Sequence, residues 1–127
     1  MLEPVEAREL LRRGDALLEQ GDTGGAIAQY LLYCALPDAG PLECRSGRPT
    51  VLKRCGIRRQ VLRLDPALHA VRRSLADDYA ALGLVDDAAE ELALLAEGLT
   101  TAGDDDGARE AHMRREALIA RRQAQYF

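Results

Sequence analysis

The sequence predicts an all-α protein, on three observations. Leu, Ala, Arg and Glu dominate the 127 residues while aromatic residues make up 4%, so the chain is stocked with helix formers rather than with the branched and aromatic side chains that strands favour. Apolar residues recur at spacings of three and four in successive segments, the period of one helix face. Gly and Pro fall between those segments, where helices start and stop. A hydrophobic share of 47% supplies a core of ordinary size, which argues for a single domain over residues 1–127.

In the first segment Ala7, Leu10, Gly14, Leu17 and Leu18 share one face of a short helix that Gly21-Asp22 ends. The turn Asp22-Thr23-Gly24-Gly25 leads into a helix from about Gly24 to Ala35, with Ala26, Ile27, Tyr30, Leu31 and Cys34 as its apolar stripe. Three prolines and two glycines between Pro37 and Pro49 predict an irregular connection. A middle helix from Thr50 to Leu64 runs through Val51, Cys55, Ile57, Val61, Leu62 and Leu64. Beyond Asp65-Pro66, the stripe Leu68, Val71, Leu75, Tyr79 and Leu82 predicts a helix with Pro66 near its start and Gly83 just past its end. Val85, Ala88, Leu92, Leu95 and Leu99 line the next helix, and Asp86 or Asp87 is placed to cap it or to favour its positive N-terminus. A last helix, only weakly amphipathic, runs from Asp105 to about Gln123. The expected layout is a first pair over 5–36, a loop over 37–49, a middle helix over 50–64, a second pair over 67–101 and a capping helix over 105–123.

Part of this layout repeats. Leu17, Gly21, Ala26 and Tyr30 recur 62 residues later as Tyr79, Gly83, Ala88 and Leu92. A further shift of 20 takes Gly83, Ala88 and Leu92 to Gly103, Ala108 and His112, and Gly103-Asp104 through Gly107-Ala108 echoes Gly21-Asp22 through Gly25-Ala26.

The spacing Gly14, Leu17, Gly21, Ala26, Tyr30, repeated as Ala76, Tyr79, Gly83, Ala88, Leu92, resembles the tetratricopeptide repeat. Val61-Leu62-Arg63-Leu64-Asp65-Pro66 looks like the usual end of that family's second helix. The pattern has a physical reading: small residues let two antiparallel helices approach, Gly ends the first helix in a left-handed conformation, and large residues fill the space between. The resemblance covers roughly residues 7–120 and breaks in the middle, where the proline-rich stretch replaces a first helix and Arg54 stands where the family places a small Ala. It implies an α-solenoid of stacked antiparallel hairpins: a right-handed array of about six helices, two clear pairs flanking a degenerate middle, with the Arg-rich last helix as a cap. Sixteen Arg to one Lys, with the phrases Arg63-Leu64-Asp65-Pro66 and Tyr79-Ala80-Ala81-Leu82-Gly83-Leu84, also resemble multi-repeat regulatory proteins of myxobacteria and so imply a bacterial protein.

Members of this repeat family are generally scaffolds whose stacked helix pairs hold a partner peptide or helix in a concave groove. The resemblance implies a groove lined by Arg8, Leu11, Asp15 and Leu18 in the first repeat and by Arg73, Asp77, Ala80 and Ala81 in the second. Members that grip a C-terminal carboxylate use Asn and Lys, whereas Asp15 and Asp77 occupy the region of the leading Asn here. The implied partner is a protein segment with an apolar face and at least one Lys or Arg, because a desolvated carboxylate needs a charged or hydrogen-bonding partner. The expected function is recognition by a non-enzymatic scaffold or adaptor.

Charge raises two alternatives. Arg45, Arg48, Lys53, Arg54, Arg58, Arg59 and Arg63 form a basic run without an acid, whereas residues 77–110 carry eleven acids against Arg109 alone, within a net charge of −4. The basic run could contact phosphate or nucleic acid, with a strong salt dependence, but no aromatic stacking platform accompanies it. Alternatively it docks on the acidic stretch of another copy, giving a homo-oligomer that salt weakens. A solvated or internally balanced helix face is the plainer reading of both runs.

Other chemistry finds little support in the residues. Cys34, Cys44 and Cys55, with His69, lack the spacing of a zinc site; Cys34 and Cys55 lie on apolar stripes as small hydrophobes, and Cys44 in the loop is the more reactive candidate. His69 and His112 have no neighbouring nucleophile, Gly21 to Gly25 lacks the Lys and Ser/Thr of a nucleotide loop, and Asp104-Asp105-Asp106 lacks the alternation of a calcium loop. No enzyme, metal or cofactor is therefore expected. The start Met1-Leu2-Glu3-Pro4 has neither a basic run nor an apolar stretch, and with an odd cysteine count this points to a soluble, cytoplasmic protein without a membrane partner.

Overall fold

The computed structural model describes residues 4–37 and 50–125. Six helices form among them: α1 Pro4–Glu19, α2 Thr23–Cys34, α3 Val51–Leu64, α4 His69–Ala81, α5 Val85–Thr101 and α6 Asp105–Gln125. There is no strand among the described residues. The protein is all-α and is built from stacked helix hairpins. Beyond Pro37, the expected irregular connection lies outside the described residues, and Cys44 lies there too. Where the sequence suggests one domain, the chain packs as two compact units, Met1–Asp65 and Pro66–Phe127.

One turn, used three times, makes the hairpins. Gly21, Gly83 and Gly103 have φ of 84°, 78° and 85°, a left-handed conformation that costs side-chain-bearing residues strain. Each glycine N–H donates three residues back, to Leu18, Ala80 and Thr100. The following N–H donates five back, from Asp22 to Leu17, Leu84 to Tyr79 and Asp104 to Leu99. This is the Schellman arrangement, which satisfies carbonyls that a helix end would otherwise leave unpaired. The next helix starts at once. In the first and third copies the residue after glycine also caps it: Asp22 accepts from Gly25 N–H and Asp104 from Gly107 N–H, both at 2.9 Å. A Cβ on Gly25 or Gly107 would stand 2.5 Å from the capping carboxylate, so glycine three residues after the cap belongs to the same device.

The middle copy of the turn corrects one expectation. Leu84 is the N-cap of α5 and makes no side-chain cap bond, so neither Asp86 nor Asp87 caps; both lie in the first turn, where the helix dipole favours a negative charge. Pro66 lies near the start of α4, as expected. Asp65 is extended, as a residue before proline tends to be, Pro66 and Ala67 form a turn, and the helix begins at His69 after Leu68.

In the first unit α2 packs against both α1 and α3. Gly14 is buried because Tyr30 lies on it: a Cβ at Gly14 would meet the ring's Cε1 at 2.6 Å. Tyr30 is 1% exposed, yet its hydroxyl is satisfied, donating to Asp15 at 2.5 Å and accepting from the Gln60 side chain at 3.3 Å. One phenol thus ties α1, α2 and α3 together. Ala7, Leu10, Tyr33, Cys34 and Leu36 form the adjoining core, with Leu11 and Ile57 packed against it. Cys34 and Cys55 are buried, as their stripes suggest.

In the second unit α5 packs against both α4 and α6. Ala76, Leu92, Leu95, Ala96, Leu99, Ala108 and Ala111 make one core cluster, with Leu118 partly buried against it. Ala76 and Leu92 are the counterparts of Gly14 and Tyr30, a larger small residue against a smaller large one. Arg72 and Glu91, both mostly buried, pair across α4 and α5 at 2.8 Å. Leu82, read as part of the α4 stripe, is instead 40% exposed at the helix end.

Candidate functional site

The second unit opens a cleft of about 200 Å³ lined by residues of α4, α5 and α6. Its sequence origin is the run of small residues: Ala76 and Ala80 on α4 and Ala117 on α6 keep the helix surfaces low, while Leu92 and Leu118 add apolar wall. Arg114, Arg121 and Asp77 complete the lining. Spacings of three, four and seven residues put Arg114, Ala117, Leu118 and Arg121 on one face of α6.

Asp77 is already engaged in this cleft. Its carboxylate is paired with Arg114, although the two side chains remain half exposed at 50% and 39%. A second ion pair, Arg122 with Asp86, ties α6 to α5 further along. Exposed pairs of this kind contribute at most about 1 kcal/mol each, so they orient α6 more than they hold it. Arg121 is exposed at the cleft wall. Two arginines against one aspartate leave the cleft with a net positive charge. Along α6 the surface continues as a shallow depression that shares Arg114 and Ala117 and includes Met113, which is 64% exposed.

Only part of the groove read from the sequence gathers here. Asp77 and Ala80 line the cleft; Arg73 is half-buried and Ala81 exposed on the same helix. In the first unit, Arg8 is exposed and Leu18 half-buried, but Leu11 packs against the core and Asp15 accepts the Tyr30 hydroxyl. The α6 members escaped the sequence reading, which took that helix for a cap. Their signal was present as Arg114, Ala117, Leu118 and Arg121 at helical spacing, but alanines and arginines do not announce an apolar stripe.

A second hollow of about 500 Å³ lies on α4 and α5, with Pro66, Ala67, Leu94 and Ala102 as apolar lining and His69, Arg72 and Glu97 as polar groups. His69 owes its place to Gly98, since a Cβ there would stand 2.9 Å from the imidazole Cε1. Arg72 is committed to Glu91. Of the basic run, Arg45 and Arg48 lie outside the described residues; Lys53, Arg59 and Arg63 are exposed on α3, and Arg54 and Arg58 are half-buried. Lys53 Nζ sits 5.8 Å from the Tyr33 ring centroid, but that ring is buried and so offers no face on which a base could stack. No three His, Cys, Asp or Glu side chains gather as metal ligands among the described residues, and none of their helices is long and apolar enough to cross a membrane.

No protein-family model matches the sequence, and no curated protein matches it. The fold alone defines its class: an all-α protein of helical-repeat character.

Proposed function

We propose that the chain is a tetratricopeptide-like, non-enzymatic scaffold or adaptor that recognises another protein, and that the cleft between α4 and α6 is where a partner segment lies. The observation that carries this reading is the cleft's lining: an apolar floor of small residues flanked by charges, which is the surface a short amphipathic segment needs. Small side chains on the floor let a partner backbone come close. The charges at the wall then choose the partner.

That choice differs from the one Asp77 alone implies. With Asp77 paired to Arg114, a basic ligand residue would have to compete with an arginine of the chain, whereas Arg121 stands ready for an acid. The partner segment is therefore read as small and apolar on one face with at least one Asp or Glu. Selection from a displayed library of random peptides tests this: wild type should enrich peptides that combine Asp or Glu with Ala, Val or Leu, and Arg121→Glu should lose them. Failure to enrich, or the same peptides on both baits, would count against the cleft.

A further inference from the structure

We infer that the chain binds a second copy of itself through two faces that lie outside the α4–α6 cleft, the exposed side of α3 and the exposed side of α5. The α3 helix contains no acid, and Lys53, Arg59 and Arg63 are exposed on it beside Leu52, whose 63% exposure is large for a leucine. Leu52, Arg59 and Arg63 are spaced by seven and four residues and so share one side of the helix. The α5 helix contains no cation, and Asp87, Glu90 and Glu97 are exposed on it around Leu94, which is 43% exposed, while Asp86 beside them is paired with Arg122 of α6. These positions again share one side. Each face thus carries a leucine set among charges, and the charges are opposite in sign.

Shape agrees with charge. Leu94 and Glu97 border the hollow of about 500 Å³ whose apolar lining is Pro66, Ala67, Leu94 and Ala102. A leucine from another chain enters such a space without filling it, and an exposed one, Leu52, stands on the basic helix.

Area decides between a single contact and a closed pair. Helices of 14 and 17 residues present faces roughly 20–25 Å long and about 10 Å wide, so one α3–α5 contact buries about 400–500 Å² in total. A specific interface needs on the order of 1,000 Å², which two reciprocal contacts in a twofold dimer reach and one does not. The dimer is therefore weak and dependent on charge.

Sedimentation of the full chain tests it. At about 100 µM the wild type should be dimeric in roughly 0.05 M salt, and its association constant should fall at least about tenfold by roughly 0.5 M. Arg59→Glu/Arg63→Glu and Glu90→Arg/Glu97→Arg should each be monomeric with unchanged helicity. Mixed in equal amounts they should form a dimer again, because each reversed face then meets its complement; that recovery also shows that both variants are folded. A Leu52→Asp chain should be monomeric as well. A wild-type monomer at low salt, variants that associate as wild type does, or a mixture that stays monomeric would each overturn the assignment.

Discussion

Tyr30 and Leu92 hold equivalent places in the two repeats, and each has a partner of the size it needs. Gly14 makes room for a phenol ring and Ala76 for a leucine. Gly14→Ala should cost about 1–3 kcal/mol by overpacking, and Tyr30→Leu about 2–5 kcal/mol by leaving a cavity. Joined in one chain, the two changes copy the second repeat's pair into the first, and urea unfolding should recover at least about 1 kcal/mol relative to their sum. Strict additivity would show that the two residues do not act as a unit.

The same tyrosine makes stability depend on alkaline pH. Burial, and next the hydrogen bond and negative charge of Asp15, push its pKa from 10.0 up to about 12. The unfolded phenol ionises near 10, so between about pH 10 and 12 the folded state holds the proton that the unfolded state has lost. Stability contributed by this group is complete below pH 10 and is lost as pH rises through 12, a decline on the order of 3 kcal/mol. Unfolding measured across that window should show this component in wild type and lack it in Tyr30→Phe.

At the scale of elements, the turns were the most legible feature. Only a residue without Cβ adopts φ near +80° at no cost, so Gly21, Gly83 and Gly103 mark the hairpins in the sequence as they do in the structure. Asp22 and Asp104 add caps, where the sequence reading saw in the repeated Gly-Asp pair only an echo of one turn in another. Asp22→Ala and Asp104→Ala should each lower stability by about 1 kcal/mol, read as the urea midpoint, with the fold kept. The middle copy was harder to read because Leu84 adopts the same backbone with nothing in its side chain to signal a cap. Pro66 lies near the start of α4 as expected, in the turn that precedes the helix. The α6 wall of the cleft was invisible to a search for apolar periodicity, since alanines and arginines form it. The charge of the site changed once Arg114, 37 residues beyond Asp77 in sequence, closed on it. Long-range ion pairs of that kind have no spacing rule.

In the molecule as a whole, two surfaces divide the proposed labour. The small-residue cleft of the second unit is proposed to take a partner segment, and the opposed charges of α3 and α5 are proposed to join copies. The most direct test of the first claim is affinity capture from a nuclease-treated lysate of the source organism, with wild type compared against Ala117→Glu/Arg121→Glu by mass spectrometry. Both substituted side chains are exposed, so the variant keeps its fold while its cleft is narrowed and reversed in charge. A protein retained by wild type and absent from the variant is the predicted result. Equal retention by both baits, or nothing retained by either, would contradict it.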